Sequence, residues 1–484
     1  ALRLRRPSTA PSRTRPTMAM PDPSRASRSP RDAIVKPRPI SGFPEWSPAE
    51  KLVEDRILRI IREEYERYGF TPVETPAVER IEVIGGASSL YGAGGTGGIV
   101  NFVTRDGSGD DGRARITTEM RARAFTADPG ASIAPAGAFS VSQRLGAFDY
   151  AFSLSHDRTR ATFDGDGNLM PSDPMLGQGG GDHLSQTNTT LRLGYQIDGA
   201  RRLEGSIQGV RLEQNPRYFS DYSTDPVTPD LTRPYTGLPV AERSNYFTLR
   251  YSDEGFAPGR LNVTLAHNDI SRRFAFNLMD PLVNTLVYYS GDPDNPTAAF
   301  NQSQVESQRT TLRFDIQSQA ELAGRALDIN WGLELGRDDT RQRAIDGRDI
   351  ATPLRNDSAA AFVQVTAPVS DSVTLAGGLR YDYHDLTVSD FVRPAAYYYL
   401  APYRTGVVLD EILVTGGRFR YGQLTGNLGF TWQMSPATQA FGGFSQGFSL
   451  TDIGGFTRRA GMNSRAEACE AYGTSNPIVA LLYG

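Results

Sequence analysis

The chain has 484 residues, 39% of them hydrophobic, with 49 glycines, one cysteine and a net charge of −4. That balance argues against a dedicated nucleic-acid binder. One cysteine (Cys469) excludes an intrachain disulfide, and the chain has no apolar run of the roughly 18 residues from which a helical membrane span is made. A membrane β-barrel is not excluded, because its strands alternate and never average as hydrophobic.

Residues 1–40 carry Arg3, Arg5, Arg6, Arg13 and Arg15 among prolines and serines, with no apolar core of a secretory signal. Low hydrophobicity predicts a disordered basic leader. An untemplated leader is the expected reading; an RNA-binding arm or a transit peptide is the functional alternative. Residues 41–79 then read as a helix followed by an extended run. Ser47 can cap the helix, Pro48 suits its first position and Glu50 completes a capping box. Val53, Ile57, Ile60, Ile61 and Tyr68 share one face, and Gly69 is a natural stop. The strings KPRPISGFPEW (Lys36 to Trp46) and YGFTPVETPAVE (Tyr68 to Glu79) resemble the start of histidyl-tRNA synthetase. There the helix and strand would form the first class II motif. The later ATP- and histidine-binding motifs of that family are not found, so the resemblance supplies no catalytic residue.

Near residue 78 the pattern changes. VERIEVIGGASSLYGAGGTGGIVNFVTRDG (Val78 to Gly107) resembles the end of the plug of a TonB-dependent outer-membrane receptor. Arg80, Ile81, Glu82 and Val83 match its penultimate strand, Leu90, Tyr91 and Gly92 its LYG turn, and Gly94, Gly95, Gly97 and Gly98 its tight turns. Ile99 to Thr104, with Asn101, match its last strand. Glycines suit a chain that doubles back in a crowded lumen. The family usually has Arg-Gly-Pro where this chain has Gly85-Gly86-Ala87. A phosphate cradle is the other reading of the glycines, but no Lys-Ser/Thr follows them.

Beyond Gly107 the sequence alternates. Leu327, Ile329, Trp331, Leu333 and Leu335 interleave with polar or small residues, as do Leu375, Leu379, Tyr381 and Tyr383 with Ala376, Arg380, Asp382 and His384. Such alternation sends one set to each face of a sheet. About thirteen strands are predicted, near 113–124, 137–146, 149–158, 190–197, 202–213, 245–252, 260–272, 307–319, 326–339, 358–367, 372–385, 420–433 and 438–448. Short turns take turns with long polar loops near 159–189, 214–244, 273–306, 341–357 and 387–418, the layout of a membrane barrel. The predicted fold is mainly β. It is a partial transmembrane antiparallel barrel, about 13 of the roughly 22 strands of a plugged barrel, preceded by the end of a plug and a short helical segment. The expected organisation is leader 1–40, synthetase-like 41–79, plug end 80–107, partial barrel 108–454 and an atypical tail 455–484 that lacks strand grammar. With strands missing, an open sheet would leave unpaired edges in lipid, so the chain alone is expected not to close.

The resemblance implies an outer-membrane receptor, not an enzyme, that takes up a metal chelate such as a ferric siderophore, with TonB as partner, outer-membrane lipid around it, no cofactor and a monomeric state. No TonB box is visible. The alternatives are a histidine-tRNA ligase relative by the N-terminus, or a chimeric reading frame joined at the shared string PAVERIEV. Ligand contacts are expected on Arg393, Tyr397, Tyr398, Tyr399, Tyr403 and Arg404, since aromatics offer stacking surface and arginines pair with anionic chelates; an interfacial aromatic girdle is the competing reading. FDGDGN (Phe163 to Asn168) hints at calcium, but the glutamate of an EF-hand loop is missing and a plain turn is favoured. His156, His183, His267 and His384 are scattered without zinc spacing.

Overall fold

A computed structural model describes residues 78–85, 98–104, 107, 112–174, 179–276, 285–288, 301–322, 324–400, 405–435, 438–458 and 460. The leader, the helix expected after Ser47 and Cys469 lie outside the described residues. Two short strands, β1 (Val78–Gly85) and β2 (Gly98–Thr104), pair antiparallel, with Arg80 opposite Val103, Glu82 opposite Asn101 and Gly85 opposite Gly98. Both strands expected between Val78 and Thr104 are therefore present and pair with each other.

Thirteen further strands form one antiparallel sheet: β3 (Arg115–Arg123), β4 (Ala134–Leu145), β5 (Phe148–Arg158), β6 (Leu184–Gln196), β7 (Arg201–Gln214), β10 (Val240–Asp253), β11 (Arg260–Arg273), β13 (Ser303–Leu322), β14 (Arg325–Ala344), β15 (Asp349–Pro368), β16 (Val373–Val388), β21 (Gly417–Ser435) and β22 (Thr438–Ser445). Each pairs with its predecessor, so the spatial order is the chain order. The connections carry short strands of their own: β8 (Tyr218–Asp221), β9 (Thr228–Pro234), β12 (Thr285–Tyr288), β17 (Phe391–Arg393), β18 (Ala396–Leu400), β19 (Thr405–Leu409) and β20 (Ile412–Val414). Helices are few among the described residues: α1 (Pro129–Ser132) and α2 (Ile453–Arg458). Neither is long and apolar enough to cross a membrane.

At one end of the sheet the turns are tight. Gly146, at φ 63°, lets β4 reverse into β5 in two residues. At the other end residues 159–183, 215–239, 274–302 and 389–416 form long connections. The fifth long loop, expected at 341–357, is not one. β14 runs to Ala344 and β15 starts at Asp349. Charged residues that read as loop make cross-strand ion pairs: Arg341 Nε lies 2.8 Å from Asp349 Oδ1, Arg355 Nε 2.7 Å from Asp339 Oδ1, and Asp357 Oδ1 2.6 Å from Arg337 Nε. Polarity there marks a strand leaving an apolar zone, not a strand ending.

The two faces of the sheet differ in kind. One exposes large apolar side chains strand after strand, among them Leu193, Ile207, Leu249, Leu333, Leu379 and Leu428. A water-soluble monomer does not leave so continuous an apolar surface uncovered; lipid supplies the missing apolar environment. The opposite face buries Asp149, Arg380, Asp382 and His384. On β16 the outward row Leu375, Leu379, Tyr381, Tyr383 ends at Asp385, which takes hydrogen bonds from Arg418 (2.6 Å) and Arg420 (3.1 Å) on β21. That row marks the outer rim of the apolar belt.

Candidate functional site

Period 2 sets Arg313 and Asp315 of β13, Glu334 of β14, Phe362 of β15, and Arg380, Asp382 and His384 of β16 on the inner face, and sheet register gathers them. Arg313 grips Asp315 with two nitrogens, each at 2.8 Å, and reaches Glu334 Oε2 at 3.0 Å. Arg380 Nε lies 2.9 and 3.0 Å from the two Asp382 oxygens, and Nη2 lies 3.3 Å from Glu334 Oε1. Both guanidiniums sit over the Phe362 ring, at 4.5 and 5.8 Å. Gly332 makes room: a Cβ there would fall 2.8 Å from that ring and collide with the Phe314 carbonyl. A buried charge is tolerated when it is paired and its hydrogen bonds are made, and this chain of charges meets most of that demand.

Above this network stands His384. Asn356 Nδ2 lies 3.3 Å from its Nδ1, and the rings of Tyr421 and Phe448 pack against it at 5.7 and 5.8 Å. The chain leaving β22 bends over the inner face to do this. α2 packs on β15, Arg458 donates to Gln342 Oε1 (2.9 Å), and the Ala460 carbonyl accepts from Arg393 Nε (3.2 Å). Beneath this strap lies a cavity of about 370 Å³ whose lining includes Asn356, Arg380, Asp382, His384 and Leu450.

The long connections form a scaffold above the sheet. Gln214, buried at the end of β7, donates to the Ser172 carbonyl (2.8 Å) and Asp182 Oδ1 (2.7 Å) and accepts from Gly180 N (3.0 Å). Ser172 Oγ completes the Asp182 carboxylate at 2.6 Å. Burial pushes the Asp182 carboxyl up, against the pull of those hydrogen bonds, and holds the neighbouring His183 down. Gln302, fully buried, ties the next two connections by donating to the Leu238 and Phe274 carbonyls (2.7 and 2.9 Å). Phe219, Tyr235 and Phe276 make an aromatic cluster at 5.2 and 5.7 Å, and the Tyr235 hydroxyl oxygen accepts from Phe276 N (2.8 Å). Burial pushes the Tyr235 phenol up to about 12.

The residues singled out in the sequence divide as follows. Arg80, Glu82, Gly98 and Asn101 lie in the β1–β2 hairpin; Leu90, Tyr91, Gly92 and Gly97 are outside the described residues. Tyr397, Tyr398 and Tyr399 sit on β18, the middle strand of a three-stranded sheet, where they pair with Val287, Leu286 and Thr285 of β12. Two separate long connections are thereby joined. Tyr403 and Arg404 are outside the described residues. Arg393, at 1% exposure, is buried on β17 and bonded to the carbonyls of Ala460 and Pro394. Asp164 is spent on an Asx turn, accepting from Asp166 N (3.0 Å), Asn168 N (2.8 Å) and Asn168 Nδ2 (3.0 Å), as a plain turn requires. Asp382 and His384 do share the inner face, but alternation gives no sign of Glu334, which sheet register brings to Arg380, or of Asn356, which it brings to His384.

An antiparallel sheet of long meandering strands, apolar outside, ionic inside, with tight turns at one end and built-up loops at the other, defines a membrane β-barrel wall of the receptor type. The family model described as "TonB dependent receptor-like, beta-barrel" matches residues 135–477, and the chain belongs to this family. The match continues past residue 454, where strand-like alternation stops. The Rhizobactin receptor of Rhizobium meliloti (strain 1021) is 25% identical over 418 residues, 79% of this chain and 52% of the relative. The chain thus spans about half the length of that curated relative. The unliganded crystal structure of the ferric citrate transporter FecA superposes with a TM-score of 0.55 at 14% identity, covering 80% of this chain and 52% of that one. A 51-residue stretch, 10% of this chain, is 57% identical to 12% of the histidine--tRNA ligase of Thermobifida fusca (strain YX).

Proposed function

We propose that this chain forms part of the wall and outer loops of an outer-membrane receptor that takes up a ferric siderophore or similar metal chelate, with TonB supplying the drive and a single copy as the working unit. The observation that carries the reading is the pairing of a lipid-facing apolar belt with an ionic inner face beneath knitted long loops. The name of a curated relative, the Ferric aerobactin receptor of Klebsiella pneumoniae, 27% identical over 419 residues, points to chelated iron. In this reading Tyr397, Tyr398, Tyr399, Tyr403 and Arg404 touch the chelate. Arg393, buried at the base of the loop, holds it in place. Catalysis has no part in it.

The test is uptake of radio-iron chelates by a strain in which the locus is deleted, with and without a functional TonB. Loss of uptake of one chelate, matched by loss of TonB, supports the reading. Unchanged iron uptake and growth on every chelate under iron limitation refutes it. The ligase reading rests on the short N-terminal match alone; histidine-dependent pyrophosphate exchange by the full chain would establish it.

A further inference from the structure

The inner-face cavity under the strap has chemistry that the ionic network does not use. Arg380 is 2% exposed, and its Nη1 has no hydrogen-bond partner in the chain although Nε and Nη2 are committed to Asp382 and Glu334. His384 is 6% exposed; its Nδ1 faces the Asn356 amide nitrogen and its Nε2 has no partner. With Nδ1 accepting from Asn356, the ring hydrogen sits on Nε2. Asn356 Oδ1, freed by the same geometry, is a buried acceptor without a donor. All three residues line the one cavity. Buried polar atoms are nearly always satisfied, so two donors and one acceptor left over on residues that line a single concavity describe the complement of a ligand group.

That group accepts two hydrogen bonds and returns one. Amides and hydroxyls qualify on count, whereas an ionised carboxylate only accepts and leaves Asn356 Oδ1 without a donor. Charge points the same way. The cavity lining holds two guanidiniums, Arg309 and Arg380, against three carboxylates, Glu334, Asp338 and Asp382. Arg313 and Asp315 behind them cancel each other. A further anion would enter an already negative, poorly screened recess, whereas a neutral group meets only the unused donors and acceptor. We infer that the cavity formed by Asn356, Arg380 and His384 beneath residues 446–450 is a binding site for an uncharged oxygen-bearing group, an amide or hydroxyl, of a solute in the lumen. In the receptor reading on which this rests, the site takes the neutral organic part of a chelate and disfavours its carboxylates. Leu450 lines it, and Phe448 packs on the His384 ring.

Lactamide and lactate are nearly isosteric and differ by one charge, which makes them direct probes. Ligand-observed saturation-transfer NMR on the full chain in detergent micelles should show lactamide contact, with lactate about tenfold weaker or absent. His384→Phe keeps the ring between Tyr421 and Phe448 but removes the Nε2 hydrogen, and Asn356→Leu removes the acceptor. Each should weaken lactamide about tenfold, the effect of one hydrogen bond left unmade at a buried partner. Lactate binding as well as lactamide overturns the inference. So does lactamide binding that ignores both substitutions, or the absence of any lactamide contact. The wild-type comparison needs no variant to fold. No iron or TonB is present in the assay, so failure here leaves the uptake reading standing, and failure of uptake leaves the cavity result standing.

Discussion

Leu379→Arg tests the assignment of the two faces. Leu379 is 54% exposed on the outward face of β16, between Val373 at the tight-turn end and Tyr383 below the ionic rim. From Val373 to Tyr383 the strand advances ten residues, or about 33 Å at roughly 3.3 Å each. At a tilt of about 40° this projects to about 25 Å, the height of the apolar band of an outer-membrane barrel. Leu379 therefore lies near mid-depth and Tyr383 near the interface. Arginine at mid-depth on a lipid face costs about 2–4 kcal/mol, and near the interface about 0–1 kcal/mol. In a water-soluble sheet an exposed Leu→Arg change stays within about 0.5 kcal/mol. Full-chain protein refolded into phosphatidylcholine vesicles and titrated with urea, followed by the fluorescence of outward-facing Trp331 and Trp432, reads the difference. Leu379→Arg should lose several times more stability than Tyr383→Arg. Equal losses, or a Leu379→Arg protein that stays monodisperse without detergent, would refute the face assignment.

Three other outcomes follow from the network and the loops. Arg380→Leu strands the buried Asp382 carboxylate and should cost about 3–5 kcal/mol in the same urea titration, with Arg380→Leu/Asp382→Leu recovering much of the loss. Gln214→Leu abandons Asp182 Oδ1, the Ser172 carbonyl and Gly180 N; at about 1–3 kcal/mol per unsatisfied buried group, residues 159–183 should be cut by added protease well before the sheet is. Asp198, in the tight turn before β7, is held at about 2, chiefly by the hydrogen bond from Arg201. A depressed carboxyl contributes above its unfolded value of about 4 and is lost as pH falls through the folded value. Carbon-13 titration should place its midpoint near the lower figure, and Arg201→Met should move it up towards the ordinary aspartate range.

The strands were legible because the sheet separates two solvents. Lipid demands Leu379, Tyr381 and Tyr383 on one side, and the inner face admits Arg380, Asp382 and His384 on the other, so period 2 is written along every strand. The same reasoning fails where polarity changes meaning. Arg341, Asp349, Arg355 and Asp357 look like a loop in one dimension, yet each has its counter-ion one strand away. A charged stretch is a loop only if nothing lies opposite, and the sequence does not say what lies opposite.

The candidate site carries that limit further. Alternation places Arg380 on the inner face but cannot say that register brings Glu334 beside it from 46 residues upstream, or that Gln214 reaches back 42 residues to Ser172. Such contacts depend on the pairing of whole strands and on backbone carbonyls, which have no residue-type signature. The strap is less legible still. Residues 446–460 have no strand period and no long helix, and they earn their position through single contacts: Phe448 on His384, Arg458 on Gln342, Ala460 on Arg393. Sheet register therefore does for this protein what sequence adjacency does for a local motif. It gathers charges that are distant in the chain into one buried cluster, while the rows of lipid-facing side chains that fix that register are the part a reader can see from the letters alone.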